Sequence, residues 1–197
     1  TKNNIAQVYA SEERYGKAIS LFETVIREYC ENSTEDSAFL AAVYDNLSTA
    51  YREMERYEDA IDICTEGLNI RKNIYGKRSL DYAISLNNLA LIYYEMGILN
   101  DAADIFSEAL AIKKETLPEI HGQISIGYFN LGLVYDKLHR DNEALENYRA
   151  SMEIDNELEA YEDVLLTAEY IAEIYERNDM PEDAEAYRTL CSKDDVH

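Results

Sequence analysis

Side chains that could carry catalysis or bind a metal are few and scattered in this chain. No two of its three histidines, His121, His139 and His197, have the spacing of metal ligands. The chain has no G-x-S-x-G nucleophile elbow, no glycine-rich phosphate loop and no H-E-x-x-H pair. Its 40 Asp and Glu residues are abundant, but no spacing singles out a general acid and a general base. We therefore predict that the chain is not an enzyme and has no cofactor or metal.

A set of amide side chains recurs at a fixed interval instead. Four asparagines are each 42 residues from the next: Asn4, Asn46, Asn88 and Asn130. On helices kept in register, such amides could form a ladder whose N–H and C=O groups pair with the backbone of an extended peptide. Alternatively, each Asn could hydrogen-bond a neighbouring helix and only fix the spacing of the helices. The sequence leaves both interpretations open.

The same interval governs the residues that must position these amides. Between Leu86 and Ile112, apolar residues recur by threes and fours on both sides of Gly97, which predicts a helix, a turn and a helix. In this stretch Tyr93 is followed at offsets of 9, 13 and 17 by Ala102, Phe106 and Leu110. The same offsets recur in three further copies: Tyr9, Ala18, Phe22 and Ile26; Tyr51, Ala60, Cys64 and Leu68; Tyr135, Ala144, Tyr148 and Met152. A fifth, shifted copy keeps only Tyr175 and Ala184.

These residues resemble the tetratricopeptide repeat, in which L-[GA]-x-x-Y is followed by Ala and then by an aromatic residue. The segment from Leu89 to Tyr93, with Ala102 and Phe106, fits this pattern. The usual repeat has about 34 residues, so a longer period implies longer helices. The long form is similar to the repeats of the kinesin light chain family, which carry G-x-x-H-P-x-x-A ahead of N-N-L-A. Here 76–83 precedes Asn-Asn-Leu-Ala at 87–90, although Ser79-Leu80 replaces the His-Pro pair.

The repeats predict an all-α fold, a right-handed α-α superhelix of about five antiparallel helix hairpins. No segment shows sustained period-two patterning, and seven Gly and two Pro are few for a β-rich fold. We expect a single domain over residues 1–191, with repeats near 1–31, 37–73, 79–116, 121–158 and 160–191, and a loose tail over 192–197. The chain begins without Met and partway through a repeat, which suggests a piece of a longer protein.

The resemblance implies that the inner helices line a concave groove that holds a protein or a peptide. The middle of this lining is apolar and its C-terminal end is acidic. Besides Asn46, Asn88 and Asn130, the predicted lining comprises Asp45, Thr49, Arg52, Asn87, Leu91, Tyr94, Phe129, Leu133, Lys137, Glu169 and Glu173. We therefore interpret the chain as a non-catalytic protein-protein interaction scaffold. Two alternatives stay open: a peptide-gated regulator whose output domain lies outside this sequence, and a self-associating structural spacer.

Charge narrows the choice of partner. The formal net charge of -22 would repel nucleic acid and anionic lipid surfaces, so we expect neither as a partner. From Arg140 onward there are 18 acidic and 5 basic residues. This acidic end either binds a partner with basic side chains or only keeps the surface soluble and the end of the solenoid from associating. An odd number of cysteines, Cys30, Cys64 and Cys191, without a C-x-x-C pair indicates a reducing compartment, so we expect a cytoplasmic protein.

Overall fold

The computed structural model describes residues 1–33 and 37–192. Over these residues the chain forms ten α-helices and no strand. Their bounds are α1 Lys2–Ser11, α2 Tyr15–Asn32, α3 Ala38–Glu53, α4 Tyr57–Tyr75, α5 Leu80–Glu95, α6 Leu99–Thr116, α7 Gly122–Lys137, α8 Asp141–Glu157, α9 Tyr161–Arg177 and α10 Pro181–Ser192. The prediction of an all-α fold built from helix hairpins is confirmed. Of the loose tail predicted over 192–197, Ser192 is the last residue of α10, and residues 193–197 lie outside the described residues.

The helices group into two compact units, which we call unit 1 (Thr1–Ile105) and unit 2 (Phe106–His197). In unit 1 each helix from α1 to α5 packs on the next, and α3 also contacts α1 and α5. The helices α1, α3 and α5 therefore form one layer, which we call the inner layer. In unit 2, α7 packs on α8, α8 on α9, and α9 on α10.

The core of each unit forms where the repeat pattern places small and aromatic residues. In unit 1, Ala18 and Ala60 are completely buried, and Phe22 is 1% exposed. In unit 2, Tyr148 is completely buried, and a Cβ atom at Gly132 would lie 2.5 Å from its ring carbons. The aromatic side chain of one helix thus fills the space left by a small residue on the facing helix.

The helices α3, α5 and α7 each begin with a side-chain cap, and the three capping residues occupy equivalent positions of the repeat. The Ser37 hydroxyl accepts a hydrogen bond from the Leu40 N–H at 3.0 Å, and the Ser79 hydroxyl accepts one from the Tyr82 N–H at 3.2 Å. At the start of α7, the Nδ1 atom of His121 accepts a hydrogen bond from the backbone N–H two residues later at 3.0 Å. Ser37, Ser79 and His121 lie 42 residues apart, so different side chains satisfy the same unpaired backbone donors.

The ends of these helices share a second device, the Schellman motif. At the end of α3, the Arg56 N–H donates to the Tyr51 carbonyl at 2.9 Å, and the Glu55 N–H donates to the Arg52 carbonyl at 2.8 Å. The same pair of bonds closes α1, α5, α7, α8 and α9. The Arg56 guanidinium also lies 4.4 Å from the ring centroid of Tyr51, and the equivalent contact occurs at Tyr9 and Tyr135.

This motif requires one residue in the left-handed backbone conformation, and in most of the turns that residue is not glycine. The turns adopt the left-handed conformation: φ is +76° at Gly97 and lies between +56° and +58° at five non-glycine residues, Glu13, Glu55, His139, Glu159 and Asp179. A side chain with a Cβ atom is strained in this conformation. The hydrogen bonds of the turn therefore hold these five residues against their local preference.

We expect Glu55→Gly to raise the free energy of unfolding by about 0.5–1 kcal/mol, because glycine removes the left-handed strain. Thermal or urea unfolding followed by circular dichroism measures the change. The control is Glu66→Gly, an exposed position inside α4, which should lower stability by about 1 kcal/mol. Equal losses in the two variants would show that the turn at Glu55 is not strained.

Candidate partner-binding face

The predicted lining residues of unit 1 differ in how far they reach the surface. Thr49 is exposed, whereas Asp45 is buried. The remaining members are half-buried on α3 and α5: Asn46, Arg52, Asn87, Asn88, Leu91 and Tyr94. A partner could therefore contact most of this face but could reach Asp45 only by displacing other side chains.

An ion pair joins the two helices that carry this face. The Nε atom of Arg52 on α3 lies 3.5 Å from the Oε1 atom of Glu95 on α5. Arg52 also pairs with Glu53 on its own helix at 2.5 Å. Because the Arg52 side chain bridges the inner layer, the surface around Thr49 and Leu91 presents both a charged pair and apolar area.

Asp45 belongs to a buried polar cluster that links α3, α4 and α5. Its Oδ2 atom lies 2.5 Å from the Nη1 atom of Arg71, and the Ser85 hydroxyl donates to its Oδ1 atom at 3.2 Å. Arg71 also donates to the Ser85 hydroxyl at 2.5 Å. Burial raises the pKa of Asp45, while Arg71 and Ser85 act in the opposite direction. The carboxylate therefore depends on these partners to stay charged inside unit 1.

Asn88 is a further member of this cluster. Its side chain hydrogen-bonds the Asp45 carboxylate and so contributes to lowering the pKa of Asp45. One of the recurring asparagines thus bonds a neighbouring helix, as the second interpretation proposed. Asn46 is half-buried, and among the described residues its side chain makes no hydrogen bond. The in-register asparagines therefore differ in their surroundings.

Cys64 occupies the aromatic slot of its repeat and lies beside this cluster. Its thiol is completely buried, 3.7 Å from the Ser85 carbonyl oxygen to which it donates. Burial, together with the negative charge of Asp45, raises the pKa of Cys64 to about 12. The thiol is therefore a packing group, and a reactive thiolate is strongly disfavoured at this position.

In unit 2 the apolar residues of the predicted lining belong largely to the core. Phe129 packs on the rings of Tyr148 and Tyr170, with centroid distances of 5.6 Å and 5.4 Å. Leu133 packs against the same cluster, and Asn130 is only 8% exposed. Lys137, in contrast, is exposed at the end of α7. The aromatic residues here contribute mainly to stability.

The predicted acidic end of the lining is partly neutralised by the chain itself. Arg188 on α10 pairs with Glu169 at 3.4 Å and also with Glu176. Glu173, between them on α9, is exposed. Exposed ion pairs of this kind contribute little to stability, but they reduce the negative charge that a partner meets.

Sequence reasoning missed the charged side chains buried near the ends of the outer helices. Arg71, Lys113 and Asp155 stand 42 residues apart and are 8%, 2% and 5% exposed. Their equal spacing in the sequence could have revealed them, because a charge that falls on the buried face of a helix needs a partner. The spacing does not identify that partner, because the partner lies on another helix.

The described residues contain neither a metal-binding cluster nor a helix that could span a membrane. No group of three or more His, Cys, Asp or Glu residues is arranged to hold a metal ion. No described helix has both the length and the apolar character needed to cross a membrane.

Comparison with known families identifies the class of protein. Profiles described as tetratricopeptide repeat match residues 1–73, 39–115 and 127–158, which together make up well over half of the chain. The chain therefore belongs to the tetratricopeptide repeat family. No curated protein sequence matches it.

Solved structures show the same fold at low sequence identity. BtubC (BKLC) from P. vanneervenii superposes with a TM-score of 0.85 at 21% identity, over 98% of this chain and 79% of that one. Nearly identical TPR-like repeats from Podosopora anserina, assigned to a kinesin light chain, superpose with a TM-score of 0.83 at 18% identity. The match covers 100% of this chain and 96% of that one. The Rap conjugation gene regulator of plasmid pLS20, solved with the Phr* peptide, superposes with a TM-score of 0.75 at 20% identity. The match covers 96% of this chain and 51% of that one. The resemblance to kinesin light chain-like repeats is confirmed for the fold.

We expect Arg71→Met to lower the free energy of unfolding by about 3–5 kcal/mol at neutral pH, because it leaves the buried Asp45 carboxylate without its cation. The double variant Asp45→Asn, Arg71→Met should regain much of this loss. Since the Arg71→Met change raises the folded-state pKa of Asp45 further, its deficit should shrink as the pH is lowered and Asp45 takes up a proton. Urea unfolding at several pH values tests this, and a deficit independent of pH would contradict it.

We expect Asn88→Ala to lower the free energy of unfolding by about 1–3 kcal/mol, because the buried Asp45 carboxylate loses a donor. The matched variant is Asn46→Ala on the neighbouring inner helix, which should change stability by less than about 0.5 kcal/mol. Thermal melts of the two variants decide between the interpretations for unit 1. Equal and negligible changes in the stability of the two variants would show that Asn88 does not stabilise the cluster.

Proposed function

We propose that the chain is a non-catalytic scaffold that binds a segment of a partner protein, or a peptide, on the faces of its inner helices. The layer formed by α1, α3 and α5 supports this proposal. It carries an exposed hydroxyl at Thr49, a bridging ion pair at Arg52 and half-buried apolar side chains such as Leu91. Such a mixture of apolar area and polar groups suits the side chains and backbone of an extended segment.

The fold likeness to a peptide-bound regulator also supports a peptide as the occupant. The Rap regulator of plasmid pLS20 was solved in complex with the Phr* peptide, and its repeats superpose on most of this chain. The proposed scaffold role requires no catalytic group. The other members of the proposed face are Asn46, Asn87, Asn88 and Tyr94 in unit 1, and Asn130, Phe129, Leu133, Lys137, Glu169 and Glu173 in unit 2.

We expect Thr49→Trp to weaken binding of a selected peptide by about tenfold or more, because an indole at this exposed position would occupy the surface beside Arg52. Peptides would be selected from a display library on the intact chain and then titrated by fluorescence anisotropy. Thr49 is exposed, so the thermal stability of the variant should stay close to that of the wild type.

The matched control is Ser20→Trp, at an exposed position on the outer helix α2. This variant should bind the selected peptides as the wild type does. If the control loses affinity and Thr49→Trp keeps it, the partner binds the outer helices and the proposed face is wrong.

A further inference from the structure

A cleft of about 210 Å³ opens in unit 2 beside α7, α8 and α9. Three of its lining residues have exposed apolar side chains: Ile126 is 54% exposed, Leu158 is 43% exposed and Leu166 is 50% exposed. Of the polar lining residues, Asp163 is exposed and four others are buried. Ser125, Ser151, Asp155 and Thr167 are all at most 5% exposed. The cleft therefore has a mainly apolar rim, which also carries the Asp163 carboxylate, and a polar floor.

The floor of the cleft contains a buried carboxyl group, that of Asp155, which has no counter-ion among the described residues. The Ser151 hydroxyl donates to the Oδ2 atom of Asp155 at 3.3 Å, and the Ser125 hydroxyl also hydrogen-bonds this carboxylate. The two serine hydroxyl oxygens lie 2.9 Å apart. No Lys, Arg or His of the described residues forms an ion pair with Asp155. Two hydroxyl groups leave a carboxylate with unused acceptor capacity.

At the equivalent position in unit 1, the buried charge has a counter-ion. Arg71 lies 84 residues before Asp155, which is two repeat lengths, and its charge is balanced by Asp45 at 2.5 Å. In unit 2 the sign of the charge is reversed and the balancing side chain is missing from the described residues. Burial raises the pKa of Asp155, and the nearby negative charge of Asp163 raises it further. A cation entering the cleft would relieve both effects.

The shape of the cleft favours a particular kind of cation. A long basic side chain has an aliphatic stem that can lie on apolar surface and a charged head that can reach a carboxylate. The apolar rim at Ile126 and Leu166 suits the stem, and Asp155 suits the head. A bare metal ion would gain nothing from the rim. The surrounding sequence is strongly acidic from Arg140 onward, which adds charge complementarity over a longer range.

We propose that this cleft binds a Lys or Arg side chain of the partner segment, with its charged head on Asp155 and its stem against Ile126, Leu158 and Leu166. This inference rests on the proposed scaffold function and adds to it the class of side chain that is recognised. It assigns recognition of the basic side chain to Asp155, whereas Glu169 on the proposed face already pairs with Arg188.

The test uses small probes on the intact chain, so it does not depend on knowing the partner. The amides N-acetyl-lysine-N-methylamide and N-acetyl-arginine-N-methylamide would be titrated into isotope-labelled protein and followed by NMR, with N-acetyl-norleucine-N-methylamide as the uncharged probe. We expect at least one basic amide to give saturable shifts at the methyl groups of Ile126, Leu158 and Leu166. The norleucine amide should bind about tenfold more weakly or not at all.

Three variants separate the cleft from general charge attraction. Asp155→Asn should weaken binding of the basic amide by about tenfold, because it removes the charge and keeps the side-chain shape. Leu166→Ser should also weaken binding of the basic amide, because it removes apolar surface from the rim. Leu166 is exposed, so this change should not impair folding. The control Glu146→Gln, at an exposed acidic position on α8, should leave it unchanged.

Several results would overturn the proposal. They are the absence of saturable shifts with both basic amides, equal binding of the norleucine amide, an equal loss in Glu146→Gln, and displacement of the amide by calcium chloride at constant ionic strength. The Thr49→Trp experiment stands apart, because it concerns a residue of unit 1 and uses selected peptides. If the amides fail to bind while Thr49→Trp still weakens peptide binding, this inference is wrong and the scaffold function stands.

Discussion

Close packing between a small residue and a large one is the constraint on which the rest of this structure depends. Ala18 and Ala60 are completely buried in unit 1, and Gly132 leaves the space that the Tyr148 ring fills in unit 2. With only a methyl group or a hydrogen atom at these positions, the helices can approach closely and bury their apolar faces on each other. The same approach brings polar residues of different helices within hydrogen-bonding distance.

Buried charge is where the two units differ most. Unit 1 contains a complete cluster in which Arg71, Ser85 and Asn88 surround Asp45. Unit 2 has Asp155 at the position equivalent to Arg71, with two serine hydroxyl groups and no cation among its described surroundings. A buried ion pair contributes little net stability, but a buried charge without a partner is costly. The same repeat frame can therefore support a structural cluster in one place and an available acceptor in another.

The turns between paired helices show how tertiary packing overrides local preference. Gly97 meets the left-handed requirement without strain, whereas Glu55 and His139 adopt the same conformation with a Cβ atom. The hydrogen bonds of the Schellman motif and the stacking of Arg56 on Tyr51 or Arg140 on Tyr135 hold these turns closed. Residue type alone is a weak guide here, because a strained residue is tolerated when the surrounding contacts determine its conformation.

The sequence by itself determined the helices, the repeat frame and the small and aromatic positions of the core, since these follow from apolar spacing at the period of a helix. It also showed that the asparagines recur in register, but not which groups they contact. Only the tertiary structure decided that Asn88 bonds Asp45, that Phe129 packs into the core and that Arg188 neutralises Glu169. Each of these depends on a partner from another helix. Spacing along one chain records which face of a helix a residue occupies, whereas the group that meets it is chosen by how the helices pack.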